Sequence, residues 1–175
     1  MIRALLPAAL LLVIGLLAMP ASAGERHADA ALEAMLPTTL GGVLLTVESQ
    51  AGPELATRSP AFAAFLAELG RSRADFTVAS AYSQSSLPAE VGAWRVRGAD
   101  PAELLPAFQN AVRQSSAQPL TVAPENVAGR EVLRIGAPGQ LTRGPLYAFA
   151  TGEVVLFVQT SRPQLAAEAI AKLPH

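Results

Sequence analysis

The run Val154-Val155-Leu156-Phe157-Val158 is apolar at every position. A strand with one solvated face alternates apolar and polar residues, so a run apolar on both faces marks a strand in the middle of a sheet rather than at its edge. It lies one glycine away from a second strand candidate. Leu146 to Thr151, Gly152 and Glu153 to Gln159 read together as a close hairpin, a connection open only to antiparallel neighbours. The chain must therefore build an antiparallel sheet and roof its centre.

Elements for the roof recur with the same punctuation. Ser59-Pro60, Asp100-Pro101 and Arg162-Pro163 are helix entries, a capping or polar residue followed by a proline whose missing N–H falls in the first turn. Apolar stripes follow at helical spacing: Phe62, Phe65, Leu66 and Leu69; then Leu104, Leu105, Phe108 and Val112; then Leu165, Ala169 and Leu173. Pro106 falls inside the second helix and is expected in its first turns or at a kink. A short N-terminal helix with Leu32, Met35 and Leu36 precedes Pro37. Strands are expected at Val43 to Val47, at Phe76, Val78 and Tyr82, at Val91 to Arg97, at Leu120 to Val122 as a short edge, and at Val132 to Ile135.

These elements give an α+β fold, a two-layer sandwich with a mainly antiparallel sheet covered on one face by helices. Trp94 and Val96 point one way, Ala93, Arg95 and Arg97 the other, so the arginine side is expected to be the wet face. The order β-β-β-α occurs twice, over 42–115 and 119–173, with an extra helix in the first stretch. The stretches are candidate pseudo-repeats, and convergence of pattern without common origin is the alternative.

The first 23 residues read as a secretory signal peptide: Arg3, an apolar run from Leu5 to Leu17, and Ala21-Ser22-Ala23 as a processing site. Residues 24–175 are then a single exported domain, secreted or periplasmic. Its only connection to a membrane would be an uncleaved leader acting as anchor. Export normally permits disulfides, yet the 175 residues contain no cysteine. The core alone must hold the domain, and thiolate metal sites and thiol nucleophiles are excluded.

The remaining chemistry is sparse. A net charge of −1 supplies no basic field for nucleic acid. The two histidines, His27 and His175, lie near the start of the mature chain and at its end, where rigid placement of a base or ligand is disfavoured. No G-x-S-x-G elbow, phosphate-cradling glycine motif or calcium loop occurs. The reading is therefore no catalytic residue, no metal and no cofactor.

Two constellations stand out. Arg95 and Arg97, with Arg130 and Arg134 on a second strand, would form an anion-binding patch if the two strands were neighbours; the alternative is that they solubilise an outer face. Trp94 and Tyr82 are core residues or an aromatic platform for a ligand. The function expected is a non-enzymatic binding or interaction module, its partner an unknown protein or a small anionic ligand. The alternatives are a hydrolase built from Asp75, Glu90, Glu131 and Glu153, or a structural accessory of an envelope assembly.

Overall fold

The computed structural model describes residues 26–55, 60–83, 87–137 and 144–175; the leader, its processing site and the Ser59 cap lie outside them. The N-terminal helix is one turn, α1 (Ala30–Glu33), followed by a two-residue hairpin of β1 (Thr39–Leu40) and β2 (Val43–Leu44). Next come β3 (Thr46–Ala51), α2 (Pro60–Glu68), β4 (Phe76–Tyr82), β5 (Ala89–Val96) and α3 (Pro101–Ser115). The chain ends with β6 (Thr121–Val127), β7 (Arg130–Gly136), β8 (Leu146–Thr151), β9 (Val154–Thr160) and α4 (Pro163–Lys172).

Seven strands form one antiparallel sheet in the order β3-β4-β5-β9-β8-β7-β6. Strand β9, which carries the apolar run 154–158, is the middle of it, paired with β5 through Val91↔Val158, Ala93↔Leu156 and Arg95↔Val154. The α+β sandwich is present, but its helices lie on both faces rather than one. On the first face α2 and α3 cover Phe76, Val78, Trp94, Val155 and Phe157. On the second, α1 and α4 cover Ala79, Ala81, Val91, Ala93, Leu156 and Val158. The strand alternation of β5 was expected to leave the second face wet because Arg95 and Arg97 share it. Those two cations sit at its end, while Val91 and Ala93 beside them are buried. A strand with no polar alternation needs cover on each side, and the short α1 and the last helix supply it.

Trp94 organises the first layer. It is 3% exposed, and five phenylalanine rings surround it: Phe108 at 5.1 Å, Phe65 at 5.3 Å, Phe76 at 5.5 Å, Phe157 at 6.1 Å and Phe62 at 6.2 Å between centroids. All five are edge-on or tilted, the arrangement that sets a ring's positive rim against another's negative face. Phe157 gains its place from its cross-strand partner, Gly92. A Cβ on Gly92 would lie 2.3 Å from the Phe157 ring, so the site admits no larger residue without displacing the ring.

The two β-β-β-α stretches share strand order, β3-β4-β5 and β7-β8-β9 from outside inward, with β6 added at one end. Their helices do not share a face. A rotation that exchanges antiparallel β5 and β9 runs normal to the sheet and leaves its faces unchanged, yet α3 lies on one face and α4 on the other. The stretches are therefore equivalent as strands and inequivalent as units.

Two prolines behave differently from a simple breaker rule. Helix α3 continues through Pro106, giving up one bond that would reach the carbonyl of Ala102. Strand β6 runs from Thr121 to Val127 through Pro124, several residues past the short edge expected. The hairpin closing pair Val127↔Arg130 is hydrogen-bonded in a two-residue turn, so alternate residues Val122, Pro124 and Asn126 turn their backbone away from β7. The donor that Pro124 lacks is thus one facing solvent.

That turn also contains the one positive-φ residue other than glycine among those described: Ala128 has φ +53° and Gly129 +80°. Both signs match a type I′ turn, which favours asparagine or glycine at the first position. An alanine there carries a left-handed strain of about 1–2 kcal/mol. Ala128→Asn is expected to raise unfolding stability by about 0.5–1 kcal/mol, measured by urea denaturation; an unchanged or lower midpoint would show that the turn holds no such strain.

Candidate functional site

The four arginines are not brought together. β5 and β7 are separated by β9 and β8, which puts roughly 14 Å between their backbones. Arg95 lies opposite Val154 and Arg134 opposite Tyr147, itself opposite Val158, so they are also about 13 Å apart along the ladder. The guanidiniums of Arg95, Arg130 and Arg134 each have a separate partner. Arg134 pairs with Glu125 at 3.4 Å. Arg130 donates to the carbonyls of Pro174 at 2.8 Å and Leu173 at 3.1 Å, with its guanidinium 4.3 Å over the Phe149 ring. A cation there meets the carbonyl end of α4, where the helix dipole is negative. Arg97 lies past the end of β5, exposed, its N–H donating to the Asp75 carbonyl at 2.9 Å.

Arg95 reaches inward across the sheet to Asp29, and its bond to Asp29 Oδ2 ties β5 to the segment before α1. Asp29 is buried. Its other oxygen caps α1 by accepting from the Leu32 N–H at 2.9 Å, and its own N–H donates to Ser49 Oγ at 2.8 Å. The Ser49 hydroxyl donates in turn to Glu33 at 2.6 Å, and Glu33 contacts His27 Nδ1 at 3.1 Å. His27 is not a loose tail. The Ser49 N–H donates to the Arg26 carbonyl and the Ala28 N–H to the Ser49 carbonyl, which lays 26–28 along the outer edge of β3 as a parallel bridge. Because the serine hydroxyl is directed to the carboxylate and not to the imidazole, this group lacks the nucleophile-to-base contact of a hydrolytic triad.

The aromatic pair is also divided. Trp94 is sealed in the core, whereas Tyr82 lies on β4 four residues beyond Val78, the partner of Trp94. Burial, followed by a hydrogen bond to Glu48, raises the Tyr82 phenol above its usual range; Glu48 is paired with Arg26 at 3.4 Å. The two rings offer no shared platform.

Nor do the four acids converge on one cleft. Glu90 is at one end of β5 and Glu131 is on β7. Asp75 and Glu153 flank the opposite end of β5, on the β4 and β9 sides. Glu153 accepts from the Gly98 N–H at 2.6 Å. Asp75 accepts from the Ser72 N–H at 2.9 Å and hydroxyl at 2.8 Å, and these bonds, with Arg71 and Arg97 nearby, hold its carboxyl below the usual range. A general acid needs the reverse shift. Among the described residues no three acids or histidines gather as a metal site, and no helix is long and apolar enough to cross a membrane.

What remains distinctive is the border of the sheet. On one edge, β3, residues 26–28 bond both outward groups of Ser49. The other, β6, presents the outward groups of Val122, Pro124 and Asn126, beside the partly buried apolar side chains Leu105, Leu120, Val122 and Leu133. Sequence reasoning passed over both features. Asp29 and Ser49 are 20 residues apart and Arg95 is 66 from Asp29; only the capping position of Asp29, three residues before Leu32, was a local signal. Comparison with protein-family models, with curated proteins and with solved structures returns no match.

The Asp75 geometry sets a pH dependence. Its folded pKa lies below the ordinary 3.8, so its contribution to stability is present above that value and is lost as pH falls through the lower, folded one. A carboxyl NMR titration should place Asp75 below 3.8, with Ser72→Ala returning it toward that value; an ordinary wild-type midpoint would contradict the assigned bonds.

Proposed function

We propose that residues 24–175 act as an exported, non-enzymatic binding module that takes an extended strand of a partner protein onto the β6 edge. The observation that carries this reading is the asymmetry of the sheet border: at the centre of β3 both outward groups of Ser49 are already bonded to residues 26–28, while β6 has a flanking apolar strip and outward peptide groups. Added strands gain affinity from main-chain bonds and selectivity from alternate side chains. An arriving strand would set alternate residues against Leu105, Leu120 and Val122.

Pro124 favours a foreign strand over a second copy of this chain. In antiparallel self-pairing about the middle of β6, each Pro124 would face the other, and both central donors would be missing. A hydrolytic reading lacks comparable support, since the acids are scattered and Asp75 and Glu153 are held in local bonds.

Two variants test the edge. Val122→Pro removes an outward N–H without touching the ladder to β7, and Val122→Lys keeps the backbone while placing a charge on the apolar strip. Capture from envelope extracts is expected to retain a partner on the wild-type chain and lose it, at least tenfold, on both variants, with unchanged circular dichroism. No partner on the wild type, or equal retention by the variants, would overturn the reading. Stabilisation of the wild type by small phosphates or carboxylates alone would transfer it to the anionic-ligand alternative.

A further inference from the structure

We propose that residues 26–36 are a clasp that opens as a unit ahead of global unfolding, and that Arg95 is its fastener. The inference stands apart from the β6 reading. The segment combines the strap at 26–28 with the single turn of α1 and ends at Pro37. A helix of four residues is far below the length that sustains itself in water, so its persistence depends on what it docks against. Those contacts are of two kinds.

Leu32 and Leu36 insert into the second-face core, against a part of the sheet lined by Ala79, Ala81 and Ala93. The polar contacts are the two strap bonds to Ser49, the Asp29 and Glu33 bonds to the Ser49 hydroxyl, the exposed Arg26–Glu48 pair and the Arg95 bond to Asp29. Ser49 thus makes four bonds with one short segment, donating two and accepting two. Among the described residues, Arg95 is the one that connects that segment to the central strands by charge. The rest of the sheet, from β4 to β9, is paired without it.

Release of the clasp would free the outward peptide groups of Ser49 and uncover the alanine-lined face beside it. It would leave the Trp94 layer intact, because that layer lies on the other side of the sheet. The clasp is in this sense a built-in cover for the second edge. A locally opening unit of this kind exchanges its amide hydrogens faster than the core that remains folded.

Hydrogen exchange on the full chain reads this directly, comparing a peptide spanning 26–36 with one spanning 154–160. In the wild type the first should exchange at least tenfold faster. Arg95→Met should widen the difference at least another tenfold. Arg95→Met combined with Asp29→Ser, which removes both charges and keeps a capping oxygen, should also widen it, with 154–160 changing less than twofold. Equal wild-type rates for the two peptides would overturn the clasp. Equal acceleration of both peptides in the double variant would overturn the assignment of Arg95 as its fastener.

Discussion

The pairing of β5 with β9 is the constraint on which the structure depends. Both strands present apolar side chains to each side of the sheet: Trp94 and Phe157 to one, Val91, Ala93, Leu156 and Val158 to the other. An antiparallel ladder supplies the backbone bonds but does nothing for side chains still in water. Each face must be roofed, at about 25 cal/mol per Å² of apolar surface withdrawn. The helices are therefore divided, and the short N-terminal turn becomes an essential part of the cover. Gly92 is the local adjustment that allows Phe157 to lie flat across the ladder next to Trp94.

Once both faces are roofed, the polar residues are left with the borders. Arg130 closes the last helix, Glu168 and Lys172 hold the small β1–β2 hairpin through the Gly41 N–H and the Thr39 carbonyl, and Arg95 fastens the segment before α1. Glu168 is held below the usual carboxylate range, first by Lys172 and then by the Gly41 N–H. These charges serve attachment. This is the physical reason that a search for paired acids, an arginine patch or an imidazole base finds the right residue types in separate places.

Much of the fold was legible because its signals were local. Proline at the start of a helix, a single glycine in a tight hairpin and an all-apolar run each have a cause within a few residues, and α3, α4, β8 and β9 follow from them. The face assignment was not, because Arg95 and Arg97 look solvated in sequence; nothing near them shows that Asp29 will meet one of them from 66 residues away. The length of β6 was hidden for a related reason. Pro124 reads as a break unless its missing donor is known to face outward, and that depends on the register set by the turn at Ala128-Gly129. The arginine constellation assumed adjacent strands, and strand order is a property of the whole sheet.

The account rests most directly on β9 being enclosed from both sides by different helices. Nuclear Overhauser contacts from successive β9 residues measure this. Phe157 should report to Phe108 of α3, and Leu156 and Val158 to Ala169 and Ile170 of α4. Contacts from all three residues to one helix, or a Leu156 and Val158 side that exchanges saturation with water, would contradict it.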